Sequence, residues 1–432
     1  MQVDKIIDAI NNLIDLSDET YVKRHNKNND NNKLNFRNIL YASVQKMNVS
    51  SIDIVRGDMD ADKILHVSKN SIIKKRNLSS TYEHIQKINS DLINIIYDDA
   101  NKFIRPHNFR IGKDNKSLVR NASRKIDKTL YINRSNKRFI GIDATNLNVR
   151  RELVNNIDIK LSKSAEYGNG MLSISFDVVS KIPIAYRLVS DTNGNFDKKK
   201  VAETNGLLGQ LYLFTSNDVL IFDRLYYSIE LMCTLNRLGI GYIFRLKNNS
   251  KLFATIGIGK SKIVIHNGVR VQLFKYKINN EVYCILTSIT EKISISEIKG
   301  LYWLRWKVET HIKKMKYDTL CNNIQSNNYN SFMTDIECSK FILLLSSIIE
   351  YVQRSHIPAN KKINSKYCLH MLFRNLLGII FYRYNTSRLE FARLLGIILK
   401  TLVDVIFNRS YLRTRKSPST KWNKNGNRFG EG

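Results

Sequence analysis

FIGIDATN at residues 139–146, MLSISFDV at 171–178 and IPIAYRLV at 182–189 are apolar, β-branched runs separated by turn residues. That is the pattern of buried strands. Beyond them, residues 197–213 have helical spacing, 219–223 (VLIFD) form a short apolar strand, 226–238 a helix and 242–246 another strand. Three strands followed by alternating helix and strand predict an α/β class with a mixed sheet. Residues 247–298 interrupt the alternation with short runs at 262–266, 269–276 and 282–287, which predicts a β-rich insertion within the α/β layer. Helical regions flank it on both sides. Ile6, Ile7, Ile10, Leu13 and Ile14, then Ile85, Ile88, Leu92 and Ile95, have helical spacing, residues 302–317 read as one helix, and the chain stays helical and apolar to about 407.

The 432 residues are 43% hydrophobic, enough for a sizeable core in two or three domains and too many for wholesale disorder. Only 4 Pro and 19 Gly exclude collagen-like and linker-rich architectures. Cys233, Cys284, Cys321, Cys338 and Cys368 are spread widely, with no zinc spacing, and are expected to be reduced and structural. The N-terminus is acidic where a signal peptide would be basic, and the apolar runs 341–349 and 394–407 are too short or are broken by Lys400 and Asp404. A soluble, intracellular protein without a membrane partner is therefore expected. With 69 Lys+Arg against 38 Asp+Glu the formal charge is +31, which points to nucleic acid, the alternative being a merely basic solvated surface. The charge is concentrated: residues 101–138 carry 12 Lys+Arg against Asp114 and Asp127, a net of +10, and the tail 409–432 carries 7 against Glu431, a net of +6. Residues 64–89 run helix, break, helix with Lys69, Lys74, Lys75 and Arg76 near the break, which fits either a DNA-reading helix-turn-helix or an ordinary helical hairpin.

Three acids fall where phosphoryl-transfer chemistry would want them. Asp143 follows the strand FIGI, Asp223 ends VLIF, and Glu309 lies on the helix after the insertion. Acids at strand ends project into the crevice of an α/β sheet, and a third from a neighbouring helix would complete a set of hard oxygen ligands suited to Mg²⁺ or Mn²⁺. On that helix Tyr302, Arg305, Glu309 and Lys316 fall at roughly 0°, 300°, 340° and 320° when each residue turns about 100°. Such a face fits a metal-bound phosphodiester lying along the helix, and equally a salt-bridged surface with Glu309 paired to Arg305 and Lys313.

The spacing Tyr302-x2-Arg305-x3-Glu309-x6-Lys316, with GIDAT around Asp143, FDRLYYS around Asp223 and YIFRLK around Arg245, resembles the DDE transposases of the insertion-sequence-four type. The resemblance covers about residues 138–350. It implies an RNase H-like mixed sheet with a β-rich insertion, and divides the chain into a helical N-terminal DNA-binding region (1–100), a basic linker (101–138), a catalytic core in two parts (139–246 and 299–350) around the insertion (247–298), a helical C-terminal region (351–408) and a flexible basic tail (409–432).

It also implies catalysis by Asp143, Asp223 and Glu309 holding two Mg²⁺ or Mn²⁺ ions, and DNA backbone contacts by Tyr302, Arg305, Lys316 and Arg245. The implied activity is cut-and-paste DNA transposition of an insertion sequence: metal-dependent hydrolysis at the ends, then transfer of the 3′-hydroxyl into target DNA. Its partners would be double-stranded DNA (the terminal inverted repeats and the target) and a second copy of the chain in a synaptic homodimer, in a bacterial cytoplasm at the nucleoid. The alternative is a catalytically inactive or domesticated DNA-binding descendant. Two departures bear on the structure. Leu225 stands where the family commonly has Gly, which would strain a positive φ. The insertion has no Trp to hold a flipped base; Phe253, Phe274, Tyr276 or Tyr283 could stack instead, although core packing is the expectation for each. Trp303 and Trp306, beside the signature, are likewise expected to pack.

Overall fold

The structure is a computed structural model that describes residues 2–25, 34–49, 51–61, 67–97, 137–153, 167–189, 199–278, 280–290, 293–324, 326–358, 360–381 and 385–404. All but two residues of the basic segment 101–138, and the whole tail 409–432, lie outside the described residues.

The strands are β1 (Arg138–Arg150), β2 (Tyr167–Asp177), β3 (Ile182–Leu188), β4 (Asp218–Phe222), β5 (Gly241–Arg245), β6 (Lys260–His266), β7 (Val269–Ile278) and β8 (Glu281–Thr287). They form one sheet in the order β3-β2-β1-β4-β5-β8-β7-β6. The first three are an antiparallel meander, while β4 runs parallel to β1 and β5 parallel to β4. That five-strand arrangement is RNase H-like. The segment expected as a separate β insertion continues the same sheet. β8 pairs antiparallel with β5, placing Leu286 opposite Phe244 and Ile285 opposite Arg245, and β7 and β6 follow as hairpins. β5 would otherwise present an unpaired edge lined by Ile243 and Phe244, which the hairpins satisfy.

Helices cover both faces of the meander. α6 (Lys199–Leu208) packs where Gly206 meets Ser173, and α10 (Trp306–Asp318) packs on the opposite face, where His311 stacks on Phe176 at 4.3 Å. Between them in sequence lie α7 (Ile229–Arg237), the short α8 (Lys251–Ala254) and α9 (Ile295–Leu304). α7 begins later than the sequence spacing suggests because Ser228 caps it, accepting the Leu231 N–H at 3.2 Å. A full capping box, Ser294 with Glu297, starts α9.

The single helix expected over 302–317 is two helices joined at Arg305. Its backbone is helical (φ −50°, ψ −35°), but the Arg305 N–H bonds the Tyr302 carbonyl and the Val308 N–H bonds the Arg305 carbonyl. These i to i+3 bonds tighten the turn and rotate Tyr302 against Glu309 relative to a uniform helix.

Of the N-terminal helices α1 (Gln2–His25), α2 (Phe36–Val49), α3 (Ile52–Ala61), α4 (Lys69–Arg76) and α5 (Ser79–Tyr97), the second, fourth and fifth pack on α11 (Tyr329–Val352), which is buried on nearly every side and also touches β3, while α1 and α3 pack on the other N-terminal helices. α12 (Ser365–Ile380), α13 (Asn385–Lys400) and the two-residue strands β9 (Lys361–Lys362) and β10 (Val403–Asp404) complete the described chain. Arg76, near the break of the expected DNA-reading hairpin, is 2% exposed and paired with Asp335 of α11. The exposed face of α5 carries Glu83, Gln86, Lys87, Ser90 and Asn94, not a basic stripe. α4 and α5 pack on one another, and Lys69 and Lys74 of α4 are exposed. All five cysteines are free, four of them buried, and no described helix is long and apolar enough to cross a membrane.

Candidate active site

Asp143 and Asp223 come together because their strands are parallel neighbours. The β1–β4 register ends at Gly141 opposite Ile221, so Asp143 lies two residues beyond it and Asp223 directly follows β4. Both stand at the carboxyl edge of the sheet. Asp143 accepts the Ala144 N–H at 2.9 Å and Asp223 the Arg224 N–H at 2.6 Å. The Tyr226 N–H then closes the turn onto the Asp223 carbonyl at 3.2 Å. Leu225 within that turn does not have positive φ, so the absence of the family's Gly leaves the backbone unstrained.

Glu309 arrives from α10, which packs on β1 beside Gly141. A Cβ there would lie 2.8 Å from Val178 Cγ1 and 3.4 Å from Val308 Cβ. Two features hold the far side of α10. Buried His311 pairs with the Tyr186 hydroxyl at 2.5 Å, and burial pushes its pKa down to about 3, so its ring is neutral. Lys314 pairs at 3.1 Å with Glu350 of α11, which also accepts from Ser365 at 2.7 Å. Sequence spacing contained no signal for Glu350, because its partners come from three other parts of the chain.

Arg305 joins the acids. It is 5% exposed, with Nη2 at 2.8 Å from Glu309 Oε1, Nη1 at 3.7 Å from Asp143 Oδ2, and Asp223 within electrostatic reach. Burial raises the Asp143 pKa to about 6, opposed by Arg305 and the Ala144 N–H and reinforced by Glu309 and Asp223. Three carboxylates therefore lie within electrostatic reach of one buried guanidinium. Two buried donors have no hydrogen-bond partner among the described residues, Arg305 Nε and the Tyr302 hydroxyl, the latter on a side chain 4% exposed. The hydroxyl of Tyr226, 1% exposed, is also unpartnered and feels Glu203, Asp143 and Asp223. Sequence reasoning missed Tyr226; its place three residues after Asp223, closing the turn, was the available signal.

The remaining expected residues lie apart from this centre. Lys316 is half-buried, two turns along α10 from Glu309, and burial lowers its pKa. Arg245 bonds Glu281 and lies 4.1 Å over the Tyr283 ring. Tyr283 in turn stacks on Tyr276 at 5.5 Å and meets Tyr302 edge-on at 6.2 Å. Of the candidates for base stacking, Phe274 and Tyr276 are core residues, whereas Phe253 and Tyr283 are half-buried. Trp303 and Trp306, expected to pack, are 41% and 42% exposed, because they share the solvent stripe of α9 and α10.

Among the described residues no three His, Cys, Asp or Glu side chains converge closely enough to hold a metal ion. The donor set nevertheless suits a hard divalent cation, because all three ligands would be carboxylate oxygens; burial raises Asp143 despite Arg305, and the two neighbouring acids add to it.

Residues 134–345 match the family described as the transposase DDE domain. No curated protein sequence matches the chain. Among solved structures, the piggyBac transposase synaptic complex with hairpin DNA is similar over 92% of this chain and 84% of that one, at 12% identity and a TM-score of 0.37.

Proposed function

We propose that the protein is a cut-and-paste transposase of the insertion-sequence-four type, with Asp143, Asp223 and Glu309 as its catalytic acids. The observation that carries the proposal is the gathering of acids from β1, the end of β4 and α10 around Arg305, inside the matched domain. The three carboxylates would hold two Mg²⁺ or Mn²⁺ ions. Such ions, when bound, supply Lewis-acid polarisation of the phosphoryl oxygens.

The chain's own residues do the positioning. Tyr302 and Arg305 offer buried, unpartnered donors to non-bridging phosphate oxygens, where a charge-assisted hydrogen bond is strong. Lys316 adds a point charge further along the duplex, and Arg245 is oriented by Glu281 and Tyr283 to meet the backbone from the hairpin side. Most of the +31 charge then binds DNA without regard to sequence. The DNA partners are the terminal inverted repeats of its own mobile element and the target, and a homodimer synapses two ends.

The test is incubation of the purified protein with its own element's ends, with and without Mg²⁺, resolving nicks, hairpins and double-strand breaks. Mg²⁺-dependent cleavage at the ends is expected. Asp143→Asn and Glu309→Gln proteins should bind the same DNA and not cut it; undiminished cleavage by either removes the assignment. Flanking DNA without terminal inverted repeats, together with no nicking, would favour a DNA-binding descendant instead.

A further inference from the structure

Arg305 has a position that phosphate binding alone does not require. Its two η nitrogens bridge acids from different elements, Glu309 on α10 at 2.8 Å and Asp143 on β1 at 3.7 Å. The guanidinium is almost wholly withdrawn from solvent, and the Trp306 ring lies 5.0 Å from its centre. The Glu309 oxygen that accepts from Arg305 presents a lone pair that a divalent cation would need. The acids carry a formal charge of −3, which Arg305 reduces to −2. A guanidinium and a hard metal ion thus draw on the same oxygens.

We propose that Arg305 is the resident counter-ion of the carboxylate trio, and that a divalent cation gains Glu309 and Asp143 only by displacing its guanidinium. This deepens the transposase proposal and rests on the metal-binding role given there to the three acids. The displaced group has somewhere to go. Arg305 Nε and the Tyr302 hydroxyl are already buried donors without partners, and a phosphodiester would satisfy both. A phosphate that draws Arg305 away uncovers the carboxylates, and a cation that takes the carboxylates releases Arg305 to the phosphate. Cation and DNA end therefore favour each other's binding by the same factor, as linkage requires.

The test uses Mn²⁺ alone, followed by electron paramagnetic resonance on the full chain without DNA. Arg305→Gln, which removes the competing charge, should bind Mn²⁺ about tenfold more tightly or better, while Arg305→Lys, which keeps it, should stay near the unsubstituted protein. Equal or weaker binding by Arg305→Gln overturns the inference. Should that protein fail to fold, arginine-selective NMR of the unsubstituted chain decides. Mg²⁺ should abolish the slow exchange of the Arg305 guanidinium protons, and an unchanged Arg305 signal at saturating Mg²⁺ overturns the inference. If the unsubstituted protein and both variants bind no Mn²⁺, the metal-site proposal itself has failed, an outcome distinct from tight binding that ignores Arg305.

Discussion

Two charge clusters in this molecule have opposite compositions. Around Asp335 one carboxylate, fully buried, is met by Arg76, by Lys46 at 2.6 Å and by the Ser326 hydroxyl at 2.9 Å. Around Arg305 one cation serves three carboxylates and leaves donors unpartnered. In the first, Arg76 and Lys46 hold Asp335 below the usual carboxylate range despite its burial; in the second, burial and like charge hold Asp143 above it. A cluster that satisfies itself joins parts of the fold, here α2 and α4 to α11. A cluster with surplus acid and idle donors is poised for something that arrives from outside.

The contrast breaks most visibly at Asp335. Asp335→Asn leaves Arg76 buried without its counter-charge, and urea unfolding should record a loss of about 3–5 kcal/mol. A loss under about 1 kcal/mol would mean that the N-terminal helices do not depend on this cluster. Glu350, the anchor behind the Glu309 helix, should come next. Lys314 and Lys181 pull its pKa down to about 2 against burial, below its ordinary 4.5. Its stabilisation is thus fully present above pH 4.5 and is lost as pH falls toward 2. Glu350→Gln should cost about 1–3 kcal/mol at pH 7, since Lys314 and Lys181 are partly exposed and can be rehydrated, and the difference should vanish near pH 2.

Asp143 should behave with the opposite sign. Its folded pKa of about 6 lies above the ordinary 3.8, so between those values the unfolded chain releases a proton that the folded chain keeps. Stability falls as pH rises through that window. In EDTA at pH 7.5, Asp143→Asn should therefore match or exceed the unsubstituted protein, by up to about 2 kcal/mol, and the gain should disappear near pH 4. A destabilised Asp143→Asn at pH 7.5 would place Asp143 with Asp335 as a structural acid.

How much of this could be read from the sequence depended on distance along the chain. The strands of the core followed from runs such as FIGI and VLIF, and Asp223 at the end of β4 from the second of them, whereas Asp143, expected at a strand end, lies inside β1, which continues to Arg150 and leaves β4 behind at Gly141. The Tyr302, Arg305 and Glu309 spacing was visible too, but not the tightened turn at Arg305, since nothing in YWLRWKVE marks a change from i+4 to i+3 bonding. Invisible altogether were the pairings that span the chain. Asp335 reads as one polar residue in an apolar helix until Arg76 and Lys46 fold onto it from more than 250 residues away. The close approach at Gly141 belongs to the same class, because the side chain that a Cβ there would meet, at 2.8 Å, is Val178 from beyond β2.

Trp303 and Trp306 were expected to pack from their helical positions, and the structure turns both to solvent. Trp303, Trp306, Thr310, Lys313 and Tyr317 follow one another at steps of 3, 4, 3 and 4, and all are exposed, while Leu301, Leu304, Val308, Ile312 and Met315 form the buried stripe. The expectation failed because the two residues lie on the stripe opposite the buried one. Trp303→Ala and Trp306→Ala should each cost less than about 1 kcal/mol in urea unfolding, against about 3–5 kcal/mol for Phe222→Ala in the sheet. The two substitutions need not be equal, because Trp306 lies beneath the Arg305 guanidinium at 5.0 Å and Trp303 reaches only its neighbour's ring, at 6.4 Å. A cation–π contact is worth about 0.5–1 kcal/mol at an exposed site, so Trp306→Ala should be the costlier by a few tenths of a kcal/mol. That excess should vanish in an Arg305→Gln background; if it persists there, the Trp306 ring is held by packing and not by the cation above it.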